Sequence, residues 1–237
     1  MQPEMQPVQN PLSLSGGGVD DLALRQHKVL RNTYMLLALS LIPTAIGAAI
    51  GSNINMGFMR SSPIVSFIAI MAVFYGWIWA IEKNRESSLG VALLLGFTMF
   101  LGVLLGPLLQ SVLGLKNGGQ LVMMAAGGTA AVFAVMSGIA TTTKRDLSSM
   151  SSFLTIGVVV IMLAVVANLF FASPVLHLAI LSGFVLLSSA MILWQVNSIV
   201  KGGETNYISA TLTLYISVYN LFSSLLQLLG IIGGDRD

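Results

Sequence analysis

The chain has 237 residues, 55% of them hydrophobic and only 8% charged, with a formal net charge of +2 and no cysteine. A soluble domain carries about 25% charged residues, so a water-soluble globule is excluded, as are disulfides and thiolate metal sites. The charges sit in short, scattered clusters rather than on one basic face, which argues against nucleic acid as a partner.

What remains is a chain written for the lipid bilayer. Residues 147–200 run without a single Lys, Arg, Asp or Glu. Such a residue at a bilayer centre costs about 2.5–3.5 kcal/mol on insertion scales, whereas Leu or Ile is favourable by about 0.5. The fold class predicted is all-α, a polytopic membrane protein.

Residues 1–21 are different material. Pro3, Pro7 and Pro11 alternate with Gln and Ser, followed by Gly16, Gly17 and Gly18. That segment cannot bury enough apolar surface to offset its ordering entropy, so it reads as a disordered tail. Residues 22–237 then form one transmembrane domain. A span needs about 20 apolar residues, and seven stretches qualify.

The first span, 32–53, holds Pro43 and the pair Gly47/Gly51. A signal peptide is disfavoured there, because the preceding segment is too long and the apolar run crosses fully. The second is 63–81. The third, 89–109, holds Gly102, Gly106 and Pro107, and the fourth, 120–142, holds Gly127, Gly128, Ala131 and Ala134. Small residues four apart let helix backbones approach closely, so all three sets are expected at helix contacts. Pro43 and Pro107 should kink their helices or end a regular run.

No charge separates the fifth span, 153–171, from the sixth, 175–199. The boundary is placed at Ala172-Ser173-Pro174, because proline cannot continue a helix but suits the first turn of the next. Asn168 lies near the end of the fifth span. His177 follows Pro174, and Ser188 and Gln195 share one face two turns apart, with Asn197 beyond. The other histidine, His27, precedes the first span. Both are boundary histidines, structurally ordinary.

The seventh span, 207–232, carries the clearest polar pattern. Ser209, Thr213, Ser217, Asn220, Ser224 and Gln227 recur every three or four residues, one face of a helix over five turns. Lipid cannot satisfy these groups, so the stripe faces the bundle interior. Two readings fit: interhelical hydrogen bonding, or the wall of a hydrated path.

Loop charges orient the bundle. One side collects Arg25, Lys28, Arg31, Lys83, Arg85, Lys144, Arg145 and Lys201; the other collects Arg60, Lys116 and Arg236. Eight against three places the N-terminus in the cytoplasm and, with seven spans, the C-terminus outside. Tyr34, Trp77, Trp79, Trp194 and Tyr207 fall near the same basic ends, where amphipathic rings prefer to sit. No nucleophile–base pair, metal-ligand spacing or phosphate loop is present in the sequence, so neither an enzyme nor a cofactor is expected.

Several strings resemble the Bax-inhibitor family of membrane proteins, across about residues 25–232. They are Gly127-Gly128-Thr129-Ala130, Lys144-Arg145-Asp146-Leu147-Ser148, and Leu214-Tyr215-Ile216-Ser217-Val218-Tyr219-Asn220-Leu221-Phe222. Within the family the chain is most similar to the bacterial YccA-like branch. That likeness rests on His27-Lys28-Val29-Leu30-Arg31-Asn32-Thr33-Tyr34, Leu176-His177-Leu178-Ala179-Ile180 and Gly202-Gly203-Glu204-Thr205-Asn206-Tyr207.

The resemblance implies two activities. Some bacterial members are acid-sensitive calcium leaks gated by an aspartate pair on the sixth and seventh helices. YccA-like members bind the membrane-anchored AAA protease FtsH and modulate its degradation of membrane proteins. The first aspartate of the family falls on Gln195 and the second on Ser217. An amide and a hydroxyl cannot share a titrating proton, and they offer calcium only neutral oxygens. The leak is therefore disfavoured, and a neutral Gln195–Ser217 contact is expected to hold the bundle closed.

The function expected is inhibition of FtsH from the bacterial inner membrane, with the protease complex and the lipid bilayer as partners. A homo-oligomer is compatible with this reading. Met1, Gln2, Pro3 and Glu4 begin the tail and form the handle by which such a protease would take hold.

Overall fold

The computed structural model describes residues 16–54 and 62–234, with side chains from residue 22 onward. The described residues form seven helices: α1 Gly16–Gly51, α2 Pro63–Lys83, α3 Ser88–Leu113, α4 Gly118–Thr142, α5 Met150–Phe171, α6 Pro174–Val200 and α7 Tyr207–Ile232. Each contains a stretch long and apolar enough to cross a membrane. Of the residues read as a tail, 1–15 lie outside the described residues, and so do Arg60 and Arg236. Gly16 to Asp21 belong instead to α1, whose backbone runs helical from Gly16.

Successive helices alternate in direction, so the loops gather at two ends. The basic end carries the α2–α3, α4–α5 and α6–α7 connections with Arg85, Lys144, Arg145 and Lys201. The other, the Pro174 end, carries α3–α4 and α5–α6. Pro43 and Pro107 do not end their helices: α1 and α3 each run continuously through the proline. Membrane helices accommodate such residues because neighbouring groups satisfy the freed carbonyl.

The seam between α1 and α3 is glycine-made. A Cβ at Gly47 would strike the Met99 carbonyl, one at Gly51 the Val103 carbonyl, and one at Gly102 the Thr44 carbonyl. At Gly106 it would strike the backbone of Gly51 and Ser52. The two glycine pairs interlock, backbone on backbone, as their four-residue spacing implies.

The expected role of the α4 small residues is not met. A Cβ at Gly127 would meet nothing within 4 Å, and Gly127, Ala131 and Ala134 are exposed on the outer face of the bundle. Gly128 alone approaches a neighbour, the Leu225 side chain, and only at ordinary contact distance. α4 instead turns Leu121, Ala125, Thr129, Ser137 and Ala140 inward.

The predicted break between α5 and α6 falls where the sequence places it. Ala172 closes α5 in the left-handed region (φ 46°), its N–H donating to the Asn168 carbonyl. Ser173 N–H donates to Asn168 Oδ1 at 3.0 Å, and Ser173 Oγ accepts from Leu176 N–H at 3.3 Å. Pro174 then occupies the first turn of α6, where its missing N–H costs nothing.

The core centres on α7. Leu214, Tyr215 and Leu221 are fully buried there with Leu36 and Leu37 of α1, Leu94 and Phe97 of α3, and Ile192 and Val196 of α6, while Leu226 clusters with Val112 of α3 and Leu121 and Ala125 of α4. α5 is peripheral, and Leu154 is its single buried residue.

Candidate functional site

The polar stripe of α7 is divided in two by its surroundings. At the basic end Ser209 donates to Glu82 Oε2 at 2.9 Å, and Arg85 Nη1 lies 3.4 Å from the same oxygen. Asn206 caps α7, its Oδ1 accepting from Ile208 and Ser209 N–H. Its Nδ2 donates to the Arg85 carbonyl and to Glu86 Oε1, both at 3.0 Å. One turn beyond Thr213, Ser217 gives its hydroxyl to the Thr213 carbonyl at 2.8 Å. This half is hydrogen bonding within and between helices.

Toward the Pro174 end the stripe opens onto space. Asn220, Ser224 and Gln227 line a cavity of about 300 Å³ together with Asn168 of α5 and His177 of α6. A second cavity of about 260 Å³ shares His177 and Gln227 and reaches Ser111 and Leu115 at the end of α3. The stripe thus divides into a half committed to hydrogen bonds and a half that lines a cavity. His27, by contrast, is exposed on α1, away from either cavity.

Gln195 and Ser217 are both buried, 2% and 4% exposed, and Ser188 is buried on the same face of α6. The expected Gln195–Ser217 contact does not form as a hydrogen bond. The Gln195 Nε2 has no hydrogen-bond partner among the described residues, and the Ser217 hydroxyl is committed to Thr213. Asn197, read only as a polar neighbour of Gln195, is a strap. Its Oδ1 accepts from Leu147 N–H at 2.9 Å while Nδ2 donates to the carbonyls of Ala140 and Arg145, tying the α4–α5 loop to α6.

Sequence reading missed Tyr215. Its hydroxyl lies 2.6 Å from Thr44 Oγ1 and donates to the Thr98 carbonyl at 3.2 Å, so one phenol joins α7 to α1 and α3. Thr44 is a lone hydroxyl after Pro43, and Tyr215 lies between Thr213 and Ser217 but off the stripe's three-to-four-residue step, so neither stands out in the sequence as half of a pair. The aromatic belt is likewise partial. Trp79 is exposed at the basic end, whereas the Tyr34 hydroxyl and Trp194 Nε1 are buried without hydrogen-bond partners. Tyr34 faces Ser137 outside hydrogen-bonding geometry.

Chemically, the described residues hold no group of three His, Asp or Glu side chains able to share a metal. No carboxylate among them lies deeper in a span than Glu82, in the last turn of α2. The proposed handle, Met1, Gln2, Pro3 and Glu4, lies outside the described residues.

These features define a multi-pass membrane protein whose centre is α7, the helix that carries the polar stripe. The chain matches the family described as "Inhibitor of apoptosis-promoting Bax1" over residues 26–234, and it belongs to that family. It is 49% identical to an uncharacterized protein of Neisseria meningitidis serogroup A over 212 residues, 89% of this chain and 93% of the relative. It is 42% identical over 212 residues to a protein of Escherichia coli K12 named "Modulator of FtsH protease YccA", covering 90% of this chain and 94% of that one. A relative of the same identity in another E. coli strain is named "Inner membrane protein YccA".

Proposed function

We propose that this protein sits in the bacterial inner membrane, N-terminus in the cytoplasm and C-terminus outside, and binds and restrains the FtsH protease. It is not an enzyme in this reading. The observation that carries it is the 42% identity to the E. coli modulator across 90% of the chain. The neutral, unjoined pair Gln195 and Ser217 supports it over a calcium leak, since neither group can titrate.

The physical basis for restraint in this reading is slow unfolding. A protease that pulls on the chain must separate the interlocked α1–α3 seam and expose α7 polar groups to lipid, at several kcal/mol per unsatisfied group. The residues ahead of α1 supply the handle.

Affinity purification in mild detergent, with partners quantified by mass spectrometry, tests the binding. FtsH should be enriched with the full chain and with a variant lacking residues 1–18, and that variant should be longer-lived and inhibit less. Absence of FtsH from both preparations rejects the proposal. Equal lifetime and equal inhibition by the truncated chain remove the handle from it.

A further inference from the structure

The cavity between α5, α6 and α7 holds more hydrogen-bonding capacity than the protein uses. Among the described residues, the Asn220 amide, the Ser224 hydroxyl and the His177 ring make no side-chain hydrogen bond. Asn168 spends its Oδ1 on Ser173 N–H, which leaves its NH₂ free. Gln227 spends its Nε2 on the Ser223 carbonyl, which leaves its Oε1 free. Donors and acceptors therefore face one space of about 300 Å³ from three helices, at the lower end of the range of small-molecule sites, ~300–1,000 Å³.

Lipid cannot satisfy these groups, and a protein does not leave so many uncommitted within a bilayer without something to meet them. The rest of the lining is Ser223, whose hydroxyl donates to the Asn220 carbonyl at 3.2 Å, and the apolar Val165, Leu169, Ile180, Leu181 and Phe184. No Lys, Arg, Asp or Glu contributes to it. An ion placed there would lack the opposite charge that buried charges require. An uncharged molecule with both donor and acceptor groups would find partners on every side.

The second cavity, about 260 Å³, is lined by Ser111, Leu115 and Ile231 at the end of the bundle and shares His177 and Gln227 with the first. Those two side chains line both cavities.

We propose that this cavity is a binding site for a small, uncharged, hydrogen-bonding molecule of the carboxamide or polyol kind, admitted at the Pro174 end past His177 and Gln227. The site is independent of the protease reading and of the Gln195 and Ser217 positions.

The absence of cysteine from the chain makes a clean test. Ser224→Cys places a nearly isosteric thiol in the cavity wall, and Ser223→Cys serves as a second reporter if the first disturbs folding. Gly119→Cys, exposed at the same end of the bundle, gives the open-surface rate, and Val159→Cys on the outer face of α5 gives the lipid background. The full-length variants, in liposomes, are treated with iodoacetamide and with iodoacetate, two reagents of equal size that differ in charge.

Alkylation at position 224 by iodoacetamide should saturate with reagent concentration and be slowed at least fivefold by excess acetamide, but not by acetate. Normalised to position 119, the amide reagent should outpace the acid more than tenfold, and position 159 should stay unreactive. Adding Asn220→Leu should abolish both saturation and acetamide protection. Three results would each overturn the proposal: both reporters inert, alkylation that neither saturates nor is protected, or equal normalised rates for the charged and neutral reagents.

Discussion

α5 and α7 are both transmembrane helices of this bundle, and their compositions run opposite to their positions. α5 is the most apolar of the seven and buries one residue, Leu154. α7 carries the polar stripe, yet it buries twelve residues and touches most of the other helices. In water the apolar helix would be the core. In lipid there is no hydrophobic drive between helices, because acyl chains are as apolar as leucine. Polar groups and close backbone contact mark the centre instead.

The same contrast sorts the glycines. Gly51 and Gly106 close the α1–α3 seam, whereas Gly127 faces outward with nothing in reach. Gly106→Val should have the largest effect of any single change considered. Its Cβ must displace the backbone at Gly51 and Ser52, so a loss of more than about 3 kcal/mol, or failure to fold, is expected. Gly127→Val should shift the melting temperature in detergent hardly at all, within about 0.5 kcal/mol. Equal effects at the two positions would erase the distinction between seam and surface.

Leu221→Ala on α7 should cost about 2 kcal/mol by thermal unfolding. That is mainly the cavity part of the usual Leu→Ala cost, since the transfer part is small when the alternative is lipid. Tyr215→Phe removes the hydroxyl that joins α7 to Thr44 and Thr98. A loss of roughly 0.6–1.7 kcal/mol is expected, the range measured for interhelical hydrogen bonds in membranes. Asn197→Leu should leave the melting temperature less affected than its local signature. Releasing the α4–α5 loop from α6 should speed tryptic cleavage after Lys144 and Arg145 several-fold. Leu163→Ala on the exposed face of α5 should be silent in both assays.

Much of this arrangement is legible in the sequence. Charge-free runs set the seven spans, proline and serine set the α5–α6 boundary, and the two glycine pairs mark a seam. What sequence does not give is azimuth. Gly127, Ala131 and Ala134 repeat at the same spacing as a packed face, yet they look outward. Only the partner helix decides which small stripe is used.

The α7 stripe shows the same limit. Its periodicity locates the inward face but not the point where Ser217, bonded within its helix, gives way to Asn220 and Ser224 at a cavity. The family resemblance implies a pairing of Gln195 with Ser217, but it does not tell whether two neutral groups would hydrogen-bond there. They do not. The start of α1 at Gly16 was hidden by three consecutive glycines, residues of low helix propensity that a helix tolerates when the chain beyond them is strongly helical.

Restraint of a protease is tested most directly by the rate at which that protease works. Purified FtsH can be placed in proteoliposomes with a membrane-protein substrate and rising amounts of this chain, and the substrate half-life followed. Restraint predicts that the half-life lengthens in proportion to the amount added, and that the destabilised Gly106→Val variant, if it folds, gives less protection and is itself degraded faster. A half-life unchanged at molar excess of the intact chain would contradict the account.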